Sequence, residues 1–149
     1  MSPLQKSIAP LNPALADFFV RTGDIDWVQT DEDGLAFIKV LWTGAESGHW
    51  AVIFRWLKGF VAGSHKHLSG SHTYILSGRL KVRDTILLPG DYLYEPNGII
   101  HGATTALEDT EYLFIGEGPL LFFDGDQFID YLGWEQMARS AMKAKVTKS

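Results

Sequence analysis

Fifteen glycines and six prolines cut the 149-residue chain into short pieces, and this punctuation restricts the possible folds more than any other feature. The pieces between them are rich in Val, Ile, Leu, Phe, Tyr and Trp, which favour a pleated, half-buried surface. Gly, Pro, Asn, Asp and Ser at their borders turn the chain. About ten strands are expected, over residues 35–43, 49–57, 61–67, 72–76, 79–82, 85–88, 92–95, 99–104, 111–116 and 120–123. No segment between them is long enough for a crossover helix, so the pattern predicts an all-β domain, a sandwich or barrel rather than a parallel sheet.

Helix signals occur only at the ends. Asn12 stands before Pro13, a capping residue followed by a proline at the first helical position, which predicts a short leading helix over 12–19. After Gly133, the residues Trp134, Met137, Ala138 and Ala141 fall on one helical stripe, with Arg139 and Lys143 toward the C-terminal end, where the helix dipole favours cations. That stripe is expected to pack on the barrel. The chain then divides into an N-terminal extension (1–34), the barrel (35–132) and a C-terminal helix with its tail (133–149).

Composition narrows the chemistry. Cysteine is absent, which removes disulfides, thiolate nucleophiles and every cysteine-containing metal site. Thirteen Lys and Arg against eighteen Asp and Glu give a formal charge of −5, the wrong sign for a general grip on nucleic acid. The N-terminus lacks the charged-then-apolar pattern of a secretory signal, and no apolar run reaches the length of a membrane helix, so a cytoplasmic protein with no membrane partner is expected.

Four of the five histidines, His65, His67, His72 and His101, fall within one third of the chain. A strand sends residues i and i+2 to the same face, so His65 and His67 can point into one interior and share one ion. His72 lies on the returning strand, where it too can face inward. Two turns, Pro89-Gly90-Asp91 and Pro96-Asn97-Gly98, precede His101. The full spacing is Gly59-x5-His65-x-His67-x4-His72-x5-Gly78 followed by Gly90-x5-Pro96-x-Gly98-x2-His101.

Those two segments resemble the paired motifs of the cupin superfamily, whose small antiparallel double-sheet β-barrels, of jelly-roll type, hold a metal. The usual ligands are two histidines and a glutamate from the first motif and one histidine from the second. Here His72 occupies the place of the usual glutamate, and Thr105 stands where the second motif ordinarily ends in asparagine. The flanks, including Gly78-Arg79-Leu80, Gly118-Pro119-Leu120 and Gly133-Trp134, are similar to single-domain cupin dioxygenases of the acetylacetone-cleaving and 2,4'-dihydroxyacetophenone dioxygenase groups. The resemblance implies iron(II) held by His65, His67 and His101, with His72 a fourth ligand or close neighbour. It also implies a reaction in which O2 cleaves a carbon–carbon bond of a small diketone or hydroxyketone.

Imidazole ligands suit one divalent transition metal, Zn, Fe, Cu, Ni or Co, and argue against Ca and Mg; the choice of iron(II) among them is what the resemblance implies. An all-imidazole shell leaves the ion's charge uncompensated and favours a chelating oxyanion as substrate. Glu95 and Arg83 are candidates for a pair that orients ligand or substrate, or for a salt bridge at the barrel rim. Arg55 can face a cavity or solvent, Tyr74 and Tyr94 can line a pocket or the core, and His49 reads as surface. The competing functions are a metal-binding sensor or regulatory module and a metal-dependent isomerase or hydrolase. A small barrel of short strands with an open edge is expected to form a homodimer or homotetramer.

Overall fold

The computed structural model describes residues 17–147. Among them are fourteen strands: β1 (Val28–Gln29), β2 (Ala36–Thr43), β3 (Trp50–Trp56), β4 (Val61–Ala62), β5 (His65–His67), β6 (Ser71–Ser77), β7 (Leu80–Val82), β8 (Thr85–Leu87), β9 (Tyr92–Glu95), β10 (Ile100–His101), β11 (Thr104–Ala106), β12 (Thr110–Gly116), β13 (Leu120–Asp124) and β14 (Gln127–Leu132). A 3₁₀ turn at Thr22–Asp24 precedes them and one helix, α1 (Trp134–Thr147), follows. The leading helix expected over 12–19 begins outside the described residues, and residues 17–20 carry no regular structure.

Three antiparallel sheets build the fold. One has six strands in the order β1-β2-β3-β12-β6-β9; the others have four each, β10-β5-β13-β14 and β4-β11-β7-β8. Alternation along each strand sends one set of side chains inward. Ile38, Val52, Phe54, Ile75 and Phe114 from the large sheet meet Leu120 from the second and Leu80 and Val82 from the third in a single buried cluster. All-β architecture is therefore the fold, as the punctuation predicts, and the C-terminal helix is the one α-helix among the described residues.

Two expected strands are each broken. The 61–67 strand splits into β4 and β5 at Gly63-Ser64, and the 99–104 strand splits where Gly102 and Ala103 separate β10 from β11. Both breaks contain glycine, which weakens a strand interior because it has no side chain to pack. The first has a use: it takes the Gly63 carbonyl out of the ladder, and His65 claims it.

Helix α1 packs against β2, β1 and β14. It therefore closes the side of the barrel where the β1–β2 end of the large sheet meets the β14 end of the second. Met137 is 2% exposed and buried in the core, with Trp134 packed beside it.

Candidate metal centre

Strand β5 has three residues and is hydrogen-bonded on both sides. His67 is registered with Leu120 and His65 with Phe122 of β13, while His101 of β10 lies directly opposite His65. Strand parity acts as expected: His65 and His67 are buried, at 9% and 1% exposure, and Lys66 between them faces the other way. The two rings lie side by side, with centroids 5.1 Å apart and planes 31° apart. Imidazoles about 2 Å from one shared ion place their centroids roughly 5 Å apart.

The ring orientations are held from behind. His65 Nδ1 donates to the Gly63 carbonyl at 3.0 Å. A carbonyl only accepts, so of the two neutral tautomers this bond selects the one with its lone pair on Nε2, the one a metal requires there. His67 Nδ1 shares a 3.1 Å hydrogen bond with the buried Ser71 hydroxyl. The donor set fits a transition metal and not calcium or magnesium. Among the described residues, no group of three histidine, aspartate or glutamate side chains closes on one metal-sized position. The His101 side chain lies outside the described residues; its backbone register opposite His65 is the placement available.

Glu95, at the end of β9, is registered beside Ser71 and only 4% exposed. Both terminal guanidinium nitrogens of Arg83, Nη1 and Nη2, donate to Glu95 Oε2 at 3.3 Å. Arg83 sits in the two-residue turn between β7 and β8 with φ of 53°, a left-handed conformation that costs a non-glycine residue about 1–2 kcal/mol. The candidate pair thus exists, with the carboxylate inside and the half-exposed guanidinium at the rim. Tyr112, which sequence reasoning missed, lines the same cavity. Burial, and secondarily the Glu95 carboxylate, push its phenol well above the ordinary tyrosine range.

His72 corrects an expectation. On β6 the inward residues are Ser71, Thr73 and Ile75, so His72 projects from the opposite face of the sheet to His65 and His67. The loop between β5 and β6 sets this parity and brings Ser71 to the site in place of His72. On the outer face the His72 ring stacks on Tyr92, hydrogen-bonds its hydroxyl through Nδ1 at 2.5 Å, and puts Nε2 3.5 Å from Glu117 Oε1. His49 lines the same outer groove. Tyr74 and Tyr94 also face outward and are exposed, and Arg55 reaches over the Trp27 ring rather than into the cavity.

The histidine pair opens on a cavity of about 350 Å³ inside the barrel. Its walls are mainly apolar, and its polar lining includes His65, His67, Thr73, Glu95 and Tyr112.

A small barrel of facing antiparallel sheets with a buried His-x-His pair on an inner strand is a cupin. Within that class, the model of the ChrR cupin-like domain matches residues 15–121, and the chain belongs to this family. It is 26% identical over 132 residues to the acetylacetone-cleaving enzyme of Acinetobacter johnsonii, covering 81% of this chain and 86% of that one. The crystal structure of an acetylacetone dioxygenase from the same organism superposes with a TM-score of 0.79 at 22% identity, over 87% of this chain and 93% of that one. An RmlC-like cupin protein of Ralstonia eutropha gives 0.80 at 19% identity, over 90% of each chain. The anti-sigma protein ChrR of Rhodobacter sphaeroides, in complex with SigE, gives 0.54 at 21% identity, over 64% of this chain and 50% of that one. No helix among the described residues is long and apolar enough to cross a membrane.

Proposed function

We propose that this chain is a metal-dependent dioxygenase that cleaves a carbon–carbon bond in a diketone or hydroxyketone with O2. The observation that carries the reading is the buried pair of imidazoles, oriented by Gly63 and Ser71, at the edge of a mainly apolar cavity. Similarity to the acetylacetone-cleaving enzyme supports the reaction class. His65, His67 and His101 are the proposed ligands, His101 because its register is opposite His65. Bound there, iron(II) supplies Lewis-acid and redox chemistry toward O2.

The chain's own residues do the rest. Gly63 and Ser71 keep both rings aimed. Phe114 and Phe122 flank the imidazoles and exclude water, which strengthens any interaction with a chelating oxyanion. Glu95, held by Arg83, acts as a positioning group and supplies negative charge that the histidines lack. Cytoplasmic location and assembly into a homodimer or homotetramer belong to the same proposal. The second is supported by exposed Tyr74, Leu76, Tyr92 and Tyr94 on the outer face, next to the open edge strand β9.

The test is anaerobic loading with iron(II), addition of a β-diketone or a 2-hydroxyketone, admission of air, and measurement of O2 uptake and carboxylic acid release. Stoichiometric uptake with a chelating ketone is expected, and Glu95→Gln should lower turnover more than metal content. Iron-loaded protein that consumes no O2 with any chelating ketone overturns the dioxygenase reading. A second reading, a metal-binding regulatory module, is favoured in that event by the family match and by the fold shared with the anti-sigma protein ChrR.

A further inference from the structure

The cavity has more room than the smallest β-diketone fills. On the scale where an apolar cavity of about 150 Å³ takes up benzene, 350 Å³ holds roughly fourteen non-hydrogen atoms, against about seven in pentane-2,4-dione. Its shape is as informative as its size. Lining residues come from five consecutive strands of the large sheet: Glu95 on β9, Thr73 on β6, Phe114 on β12, Trp56 on β3 and Ile38 on β2. Four inter-strand steps of about 4.8 Å make roughly 19 Å along the curved wall from one end to the other. The carboxylate of the lining is at the β9 end, where Glu95 is next to Ser71 and, through it, His67, and the Tyr112 phenol is two strands away on β12. The β2 end is closed by α1, where Met137 and Ser140 reach the cavity beside Leu132.

We infer that the cavity takes a ketone bearing an apolar substituent of about seven further non-hydrogen atoms, with its oxygens at the histidines and the substituent running under α1, where Met137 sets the limit on its length. The inference rests on the proposed function for the polar head and on the cavity alone for the tail. A shorter ligand leaves apolar wall uncovered. Each added methylene that the wall covers raises affinity by up to about fourfold, until the tail meets Met137.

The experiment uses the whole protein, with and without added metal, and reads binding by titration calorimetry and by quenching of tryptophan fluorescence, since Trp56 lines the cavity. The probes are 2,4-alkanediones lengthened one methylene at a time, and alkyl methyl ethers of matching length, which have no chelating head. Both series should tighten with length and then break. Met137→Ala should move the break by about two methylenes toward longer tails, and Ser140→Leu, from a partly exposed position at the same end, should move it toward shorter ones. Affinity that does not change with tail length in the unaltered protein overturns the inference, as does a break that neither variant moves. Failure of the dioxygenase reading looks different: the ethers keep their length dependence, while metal gives the diketones no advantage.

Discussion

Gly78 connects β6 to β7 with φ of +86°, and its replacement by alanine is the sharpest test of the packing. An added Cβ would lie 2.3 Å from the Asp109 carbonyl oxygen, 2.4 Å from Thr110 Oγ1 and 2.6 Å from Thr110 Cα, and two of those three atoms are backbone. Thr110 is fully buried. Its hydroxyl accepts the Arg79 N–H at 3.0 Å and faces the carbonyls of Arg79 and Glu108 at 3.1 and 2.9 Å, so moving it disturbs the β7 entry as well. Gly59 provides the control: φ is +94°, but nothing lies within 4 Å of an added Cβ. Left-handed strain costs both variants about 1–2 kcal/mol, offset by roughly 0.4–1 from the stiffer unfolded chain, so Gly59→Ala should lose about 1 kcal/mol. Gly78→Ala adds overpacking of about 1–3 kcal/mol and a buried hydroxyl with disturbed partners at about 1–3, for a total near 3–7. At about 2–4 °C per kcal/mol for a chain of this length, the melting temperature should fall by roughly 15 °C. Urea unfolding followed by tryptophan fluorescence should show a lower midpoint with an unchanged slope. Equal losses in the two variants would refute the steric argument.

Metal content of purified and reloaded protein should drop sharply in His65→Ala, His67→Ala and His101→Ala and stay at the unaltered level in His72→Ala, whose ring is on the outer face; loss in His72→Ala would place it in the site after all. Tyr112 controls alkaline stability. Its folded pKa is raised above the unfolded value near 10, so the unfolded chain releases this proton first. Its contribution is complete below about pH 10 and is lost as pH climbs from there toward the folded value. Urea midpoints measured across that range should fall less steeply in Tyr112→Phe than in the unaltered protein, and identical declines would remove Tyr112 as the cause.

The residues of the barrel declare themselves in the chain because its strands are bounded by glycine and proline turns and alternate strongly; β3, with Trp50, Val52, Phe54 and Trp56 inward, is the clearest case. His65 and His67 were legible for the same reason: parity alone puts them on one face. His72 was not, because β6 inverts the usual contrast. Its outward residues, His72, Tyr74 and Leu76, are more apolar than its inward Ser71, Thr73 and Ile75, so hydrophobicity points to the wrong face. Only the length of the turn before Ser71 decides the parity, and that is a property of backbone closure. Tyr112 alternates in β12 with Phe114 and could have been found as an inward residue, but its proximity to Glu95 depends on β6 lying between β12 and β9, an order no local pattern encodes. Strand β14 escaped notice because its residues from Gln127 to Tyr131 are exposed and carry no period-two contrast.

The position of β5 bears on how an ion would enter and leave. Its three residues are clamped between β10 and β13, both of which arrive much later in the chain, so the two imidazoles acquire their setting only after two long loops have closed. Such non-local pairing forms slowly and late in folding. An ion bound by both rings would stabilise that pairing by mass action, while the cavity on which the rings open gives it a way in and out that leaves the three strands paired. Metal supplied to the folded protein should therefore slow amide hydrogen exchange in β5 by raising the cost of opening the clamp, and removing it should restore the faster exchange without unfolding the chain.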